Sequence, residues 1–301
     1  MANVYPTLLD IAKLNGSDAL AGLIDECLTA VPELNIGYAR SIKGINYKVA
    51  VRTALPTVGF RAANEGIENT VATRINRLVE AYILDASWSA DQAVADSYED
   101  GAAAYCTLEA GDHMQAALRH ICSQFYYGTA ADAKGFPGLV SQVNSDMEVD
   151  ATGADSDTSS VWGVKYGPQN VAWVLGQNGQ VSEGETKNYE QTRSSKTLWV
   201  YGQSITARVG LQIGNQYSIG RIKNIDSGKP CTDDLISDLL KKFMDKDLRP
   251  DYLLMSPRSL QELQDSRTAT NPTGAPAPFP TQSFNVPIVV STSITDTETA
   301  S

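Results

Sequence analysis

Apolar side chains between Ala93 and Tyr127 recur three or four positions apart, at Cys106, Ala110, Met114, Ala117, Ile121 and Phe125. That spacing lines one face of a helix, and Gly128 stands where a helix stops. The pattern predicts a helix over 93–127. A helical run of about 28 residues in it would rise roughly 42 Å, which is long for a globular protein. Alanines at 102–104, 110, 116 and 117 leave room for other backbone to approach closely.

Before this run the period changes twice. Thr7 is placed to cap a short helix from Leu8, and Asn15-Gly16 interrupts it. Ser17 then caps a second helix with Leu20, Leu23, Ile24, Cys27 and Leu28 on one face, ended by Pro32. From residue 38 to 66 the signal is that of a strand. Tyr47, Val49 and Val51 alternate with Lys48, Ala50 and Arg52, among Gly37, Gly44, Pro56, Gly59 and Gly66. Residues 67–80 fit either a helix, through Ile67, Val71, Ile75 and Leu78, or an extended segment.

Behind the long run the chain is rich in strands. Residues 144–160 are acidic and polar without period and read as a loop. Trp162, Val164 and Tyr166 alternate, Val171 to Leu175 is a second strand candidate, and 177–195 is polar and glycine-rich. Thr197 to Ile213 reads as a strand pair and Tyr217 to Ile225 as one further strand. Thr232 caps a helix with Leu235, Ile236, Leu239, Leu240, Phe243 and Met244 on its buried face. Tyr252 to Met255 is a short strand, and Ser256-Pro257 supplies a cap and first-turn proline for another helix. A proline-rich loop spans 271–280. A last strand at Val286–Val290 carries Pro287, which suggests an edge or bulge. Residues 292–301 form a tail, frayed or strapped down. The fold class is α+β.

Charge narrows the function. The chain has 24 Lys and Arg against 35 Asp and Glu, a net charge of −11. An acidic surface argues against tight sequence-neutral binding of nucleic acid. Yet residues 38–61 are basic, with Arg40, Lys43, Lys48, Arg52 and Arg61. A solvated hairpin and a loop that touches acidic surfaces of other copies both fit. No stretch reaches the roughly 18 apolar residues of a membrane helix. The start MANVYPTLLDIAK lacks the features of a signal peptide, so synthesis in the cytoplasm is the expectation.

Chemistry has few candidates. Cys27, Cys106, Cys122 and Cys231 show no CxxC spacing and read as buried small hydrophobes. His113 and His120 lie seven apart on one side of the long helix, without a third ligand at a matching distance. Asp155 and Asp157 are a fragment of a calcium loop whose remaining ligands are missing. Asp233-Asp234 is explained by the first turn of a helix. HExxH, GxSxG, Walker A and GxGxxG patterns are absent. No catalytic, cofactor or metal residues are expected.

Three stretches resemble a known family. They are Ser160-Val161-Trp162-Gly163-Val164-Lys165-Tyr166-Gly167-Pro168-Gln169-Asn170-Val171, Gly220-Arg221-Ile222-Lys223-Asn224-Ile225-Asp226 with the helix after Thr232, and Asp251-Tyr252-Leu253-Leu254-Met255-Ser256-Pro257. With the order of elements, they resemble the major capsid proteins of tailed bacteriophages, in particular the group around the short-tailed phage epsilon15 shell protein. The resemblance implies the HK97-like fold: an N-terminal arm (1–37), an extended loop reaching over a neighbour (38–66), and a peripheral domain (67–160) with a spine helix at 93–127. Residues 161–229 would complete the peripheral and axial domains, 230–285 would lie mostly in the axial domain, and 286–301 would form the C-terminal strand and tail.

It further implies an icosahedral head shell of pentamers and hexamers, enclosing double-stranded DNA without sequence-specific binding. Its parts are made in the bacterial cytoplasm and end in the virion. Expected partners are further copies of the chain, a portal protein, a separate scaffolding protein and, as a further candidate, a cement protein. The scaffold is expected to be separate because the arm-like features begin within about ten residues of Met1. Arg40, Arg52 and Arg61 are the expected contacts to acids of the next subunit, with Phe60 as apolar anchor. The alternatives are the shell of a cellular nanocompartment, which shares the fold, and another phage structural protein such as a tail tube, against which the long helix speaks.

Overall fold

The strongest apolar period becomes the longest element, but that element starts later than its sequence pattern. The computed structural model describes residues 31–193, 195–271 and 275–300, together with Leu8. The two helices expected after Thr7 and Ser17, and Cys27, lie outside the described residues. A four-residue helix, Gln92–Ala95, comes first, with the Asp91 side chain accepting from the Ala93 N–H. The chain then turns, and the long helix runs Ala102–Tyr127. The expected helix over 93–127 is therefore broken, because Gly101 holds φ +89°, a left-handed conformation outside the α-helical range. At the other end Gly128, at φ +54°, stops the helix, and a Cβ there would lie 2.1 Å from the Gly138 nitrogen.

The long helix rises about 39 Å and packs on two different surfaces. Its first half supplies Tyr105 and Cys106, joined by Ala117 further along, to a core with Trp88, Ala90, Ala95 and Ile205. These residues sit against a three-stranded antiparallel sheet of Lys187–Arg193, Lys196–Gln203 and Trp88–Asp91. Its second half brings Ile121, Phe125 and Tyr126 against Trp162, Trp173, Val209 and Leu211. Trp173 and Val209 belong to a central sheet ordered Ala39–Ser41, Val171–Leu175, Ile205–Ile213 and Tyr82–Asp85, with Ser182–Glu183 pairing on Ile205–Ile213. Lys196–Gln203 and Ile205–Ile213 are thus strands of two different sheets. Their reading as a strand pair is corrected: at Ser204 the chain steps from one sheet to the other.

Trp162 belongs to a six-stranded mixed sheet ordered Gln282–Ser283, Val286–Val290, Tyr252–Met255, Ser159–Val164, Ile219–Ile225 and Glu148–Asp150. Only the two-residue strand Gln282–Ser283 covers the outer side of the strand with Pro287. Glu148–Asp150 is a second correction, since this segment lies in the stretch read as loop. Asp226 ties the turn at Ala154 to the loop after Ile219–Ile225: its carboxylate accepts from the N–H groups of Ala154 (2.9 Å), Gly228 (2.9 Å) and Lys229 (2.7 Å).

The three stretches that carry the family resemblance are neighbours in this sheet. Gly163 faces Gly220 on one side and Leu253 on the other. One sheet face meets the long helix through Trp162 and Val164. The other carries Val161, Ile222 and Leu253 under the helices Asp233–Met244 and Pro257–Ala269. Gly163 and Gly220 form a flat strip on which Leu239 and Phe243 lie. A Cβ at Gly220 would stand 2.7 Å from both Leu239 Cδ1 and Phe243 Cε2. We expect Gly220→Ala to destabilise the unassembled subunit by about 1–3 kcal/mol, the usual cost of overpacking, read from its urea midpoint. An unchanged midpoint would mean that the helix shifts freely on the sheet.

Both caps read from sequence are present: Thr232 accepts from the Leu235 N–H and Ser256 from the Ser259 N–H. The two helices are joined by Arg267, which donates to both Asp233 oxygens at 2.6 and 2.7 Å. This fork, set against burial and aided by Ser283, holds the Asp233 carboxyl below its ordinary value. A lowered folded-state pKa means stability that is complete above the unfolded value of about 3.9 and lost as pH falls through the folded value. Acid titration of the subunit is expected to show no Asp233-dependent loss above pH ~5. Asp233→Asn is expected to remove part of the loss seen below that.

Candidate assembly surfaces

The basic segment forms a hairpin that stands off the sheets. Asn46–Ala54 pairs antiparallel with Thr73–Glu80, from Asn46 opposite Glu80 to Ala54 opposite Thr73. The ambiguous stretch 67–80 therefore contains a strand, and the hairpin with its connecting segment spans 46–80. Its base is fastened to the central sheet. The Tyr47 hydroxyl donates to Gln212 Oε1, and Arg77 donates to Gln216 Oε1 at 3.2 Å and to the Ile213 carbonyl at 3.4 Å. The Ala81 N–H closes the base on the Ile45 carbonyl at 2.8 Å.

Beyond the last pair, residues 55–72 carry no regular structure and are linked across by Thr57 and Thr70, at 2.7 Å from the Thr57 N–H. Apolar side chains here lie open: Leu55, Val58, Ile67 and Val71 are exposed, and Phe60 is 109% exposed. A phenyl ring in full contact with water forgoes about 1.5–3 kcal/mol of burial free energy, and contiguous exposed apolar surface marks interaction sites.

Of the expected contact residues, Arg52, Phe60 and Arg61 lie on the outer hairpin. Arg52 faces Arg74 across the strands, a like-charge pair that disfavours the isolated hairpin. Arg61 donates to the Glu65 carbonyl at 2.8 Å. Arg40 is separate from them. It lies on Ala39–Ser41 at the base, its guanidinium 4.6 Å from the centroid of the Tyr47 ring. Leu55, Val58, Val71 and Arg74 belong to the same surface and were not singled out from sequence. The strand register of 73–80 is the signal that places Arg74.

The body behind the hairpin is tied at both ends of the described chain. Glu33, in the short helix Pro32–Ile36, is fully buried. Its Oε1 accepts from the Tyr126 hydroxyl at 2.9 Å and from Ser291, and its carbonyl accepts from Trp173 Nε1 at 3.3 Å. Burial, then the charge of Glu33, pushes the Tyr126 phenol up. The C-terminal tail is strapped down. Thr158 and Glu298 exchange backbone hydrogen bonds at 3.0 and 2.9 Å. The Glu298 carboxylate takes Arg221 Nη2 at 2.9 Å and the Tyr127 hydroxyl at 2.7 Å. Arg221 also donates to Ser160 at 3.0 Å and lies 5.3 Å from the centroid of the Trp162 ring.

Among the described residues, no three His, Cys, Asp or Glu side chains gather as a metal-binding group. His120 Nε2 lies 3.4 Å from Asp132 on the helix surface. Asp155 donates its N–H to Asp226. Cys106, Cys122 and Cys231 are buried and unpaired. Burial, with Glu262 nearby, pushes the Cys231 thiol up to about 12, far from a reactive thiolate. No described helix is long and apolar enough to cross a membrane.

Comparison with known proteins agrees with this architecture. The structure is similar to that of a chain of bacteriophage Epsilon15, with a TM-score of 0.69 at 19% identity, covering 100% of this chain and 98% of that one. It is also similar to a holo-SrpI encapsulin complex from Synechococcus elongatus, with a TM-score of 0.50 at 8% identity over 74% of this chain and 97% of that one. At these identities both show the fold, which is the HK97-like fold expected from sequence. No curated protein sequence matches. The profile of the family described as major capsid protein GP7 matches residues 35–249, from the central-sheet edge through the helix Asp233–Met244. That span is well over half of the chain, and the protein belongs to the family of phage major capsid proteins that this profile describes.

Proposed function

We propose that copies of this chain close into an icosahedral phage head of pentamers and hexamers that encloses double-stranded DNA. Chains made in the host cytoplasm end in the virion, and their role is structural, not catalytic. The observation that carries the reading is the hairpin 46–80. It is a stiff, basic, apolar-tipped projection on an acidic chain of a capsid family. It corresponds to the extended loop expected at 38–66, with Thr73–Glu80 as its return strand. Residues 1–37 are the arm, and Ala102–Tyr127 is the spine of the peripheral domain. The six-stranded sheet with its two helices is the core of the axial domain, to which 230–285 mostly belong, and 286–301 return from it as strand and tail.

Rings of five and six from one chain need rigid bodies joined by deformable connections. Residues 55–72, which lack regular structure, give the hairpin a deformable tip. Arg52, Arg61 and Arg40 contact acids of neighbouring copies, and Phe60 anchors the hairpin tip. Each rim ion pair contributes only about 0–1 kcal/mol, so the apolar anchor dominates. A separate scaffolding protein, a portal protein and a cement protein are the partners such a shell uses.

The test is electron microscopy of the protein made alone and together with its genomic neighbours. Closed shells with five- and six-fold rings are expected. Phe60→Asp is expected to leave the subunit folded and to abolish shells, since burying an unpaired carboxylate costs several kcal/mol at every repeated contact. Persistent monomers in the wild type would overturn the reading. Shells filled with protein cargo and free of DNA in infected cells would replace it with a nanocompartment.

A further inference from the structure

The last described residues lie on the body of the protein as a bound peptide would. Ile294, Asp296, Glu298 and Ala300 are buried or half-buried, while Thr295, Thr297 and Thr299 between them are exposed. That is the two-residue period of an extended chain laid on a surface. The first three inward side chains each have their own receptor. Ile294, 3% exposed, enters the core between the long helix and the sheets. Asp296 accepts from the Ser256 hydroxyl at 2.6 Å, at the N-terminus of the helix Pro257–Ala269. Glu298 accepts from Arg221 Nη2 at 2.9 Å, the Ser160 hydroxyl at 2.5 Å and the Tyr127 hydroxyl at 2.7 Å. Among the described residues, strand-like pairing of the tail is confined to one bridge, between Thr158 and Glu298. Side-chain pockets on alternate residues therefore carry the recognition, as where a sheet binds an extended ligand.

The receptor is built from contacts that do not use the tail. Arg221 Nε donates to Ser160 at 3.0 Å, and the guanidinium rests 5.3 Å from the Trp162 ring and 3.8 Å from Glu148. The Ser256 hydroxyl accepts the Ser259 N–H at 3.2 Å and meets the Ser159 hydroxyl at 3.3 Å. Tyr127 ends the long helix with its ring centroid 6.3 Å from that of Tyr126. Beside Glu298 a pocket of about 510 Å³ opens, lined in part by Ala131, Val140 and Thr297. Donors fixed by their own elements keep their places when the tail leaves.

We propose that this surface is a receptor for an extended acidic peptide of the form Ile-x-Asp-x-Glu, filled in the subunit by the chain's own tail, and that the tail is a strap that opens as one piece. The inference does not depend on shell assembly. Opening withdraws one core side chain, Ile294, and uncovers Arg221 on a chain of net charge −11. A terminal segment with so few apolar contacts belongs to the low-stability end of a fold. Its tether keeps it ahead of any free competitor, at an effective concentration in the millimolar range.

The experiment uses the full-length, unassembled subunit carrying Asp296→Asn and Glu298→Gln together, with a fluorescent peptide of residues 292–301 as probe. Anisotropy reads binding, and near-ultraviolet circular dichroism reads folding. The double variant is expected to bind the peptide saturably. The same peptide with Asn and Gln in place of its two acids should bind about tenfold more weakly or worse, since hydrogen bonds to charged groups are the stronger ones. The wild type should bind the acidic peptide about a hundredfold more weakly than the variant does, because its own tail competes.

A folded variant that binds neither peptide would overturn the receptor, and so would equal binding of the two. A wild type that binds as tightly as the variant would overturn occupancy by its own tail. Hydrogen exchange in the wild type tests the strap with no substitution at all, should the variant fail to fold. The amides of Thr295 and Glu298 are expected to exchange through an opening that low urea does not change, while those of Ile222 and Leu254 exchange through global unfolding. Equal protection at all four, falling together with urea, would overturn the strap.

Discussion

Arg221→Ala is expected to lower the unfolding free energy of the unassembled subunit by about 3–5 kcal/mol, the cost of leaving a buried ion-pair partner alone. The guanidinium is almost out of water, at 9% exposure of its side chain, and Glu298 is equally so at 8%. Alanine would strand the Glu298 carboxylate between Ser160 and Tyr127 and would leave Glu148, 3.8 Å from Arg221, with Lys223 at 3.7 Å. Lysine cannot donate from a planar fork, so Arg221→Lys should recover only part of the loss. Denaturant midpoints give the energy. Hydrogen exchange at the Thr158 and Glu298 amides gives the location, because the tail should open locally before the domain unfolds. A loss below 1 kcal/mol would mean that the tail adds nothing to the subunit.

Glu33→Ala is expected to cost about 3 kcal/mol. Truncation leaves the Tyr126 and Ser291 hydroxyls buried without an acceptor, at about 1–3 kcal/mol for an unmade hydrogen bond, and opens a cavity beside them. Glu33→Gln keeps an acceptor in place and should stay within about 1 kcal/mol of the wild type. Equal losses in the two variants would show that the charge of Glu33, not its acceptor geometry, is what the core uses.

Much of this arrangement was legible in the residues. The helix caps at Thr232 and Ser256 act through side-chain groups whose partners lie three residues away, so local sequence suffices to place them. The long helix was visible through its apolar period, and its false start came from giving Ala93–Ala95 more weight than the turn pair Asp100-Gly101. Sheet membership was harder. Lys196–Gln203 and Ile205–Ile213 are adjacent in sequence and pair with strands a hundred residues away, which no local pattern encodes. The return strand of the hairpin was ambiguous for a related reason. Ile75 and Leu78 are open to water in one subunit, so alternation there does not mark a core. At the assembly surface, Phe60 and Arg61 could be read from charge contrast. Arg74 could not, because its place depends on strand register.

The pin at Glu33 has a mechanical side. Glu33 follows the segment before Val31, Tyr126 sits near the end of the long helix, and Ser291 lies just after the strand Val286–Val290. Tension applied to the chain ahead of Val31 therefore meets the long helix, the C-terminal segment and Trp173 of the central sheet at one buried point. Rupture under load is governed by the barrier to opening, not by equilibrium stability. In a pulling experiment on a single subunit the first event should be the loss of this pin, at a force that Glu33→Ala lowers and Gly220→Ala leaves unchanged.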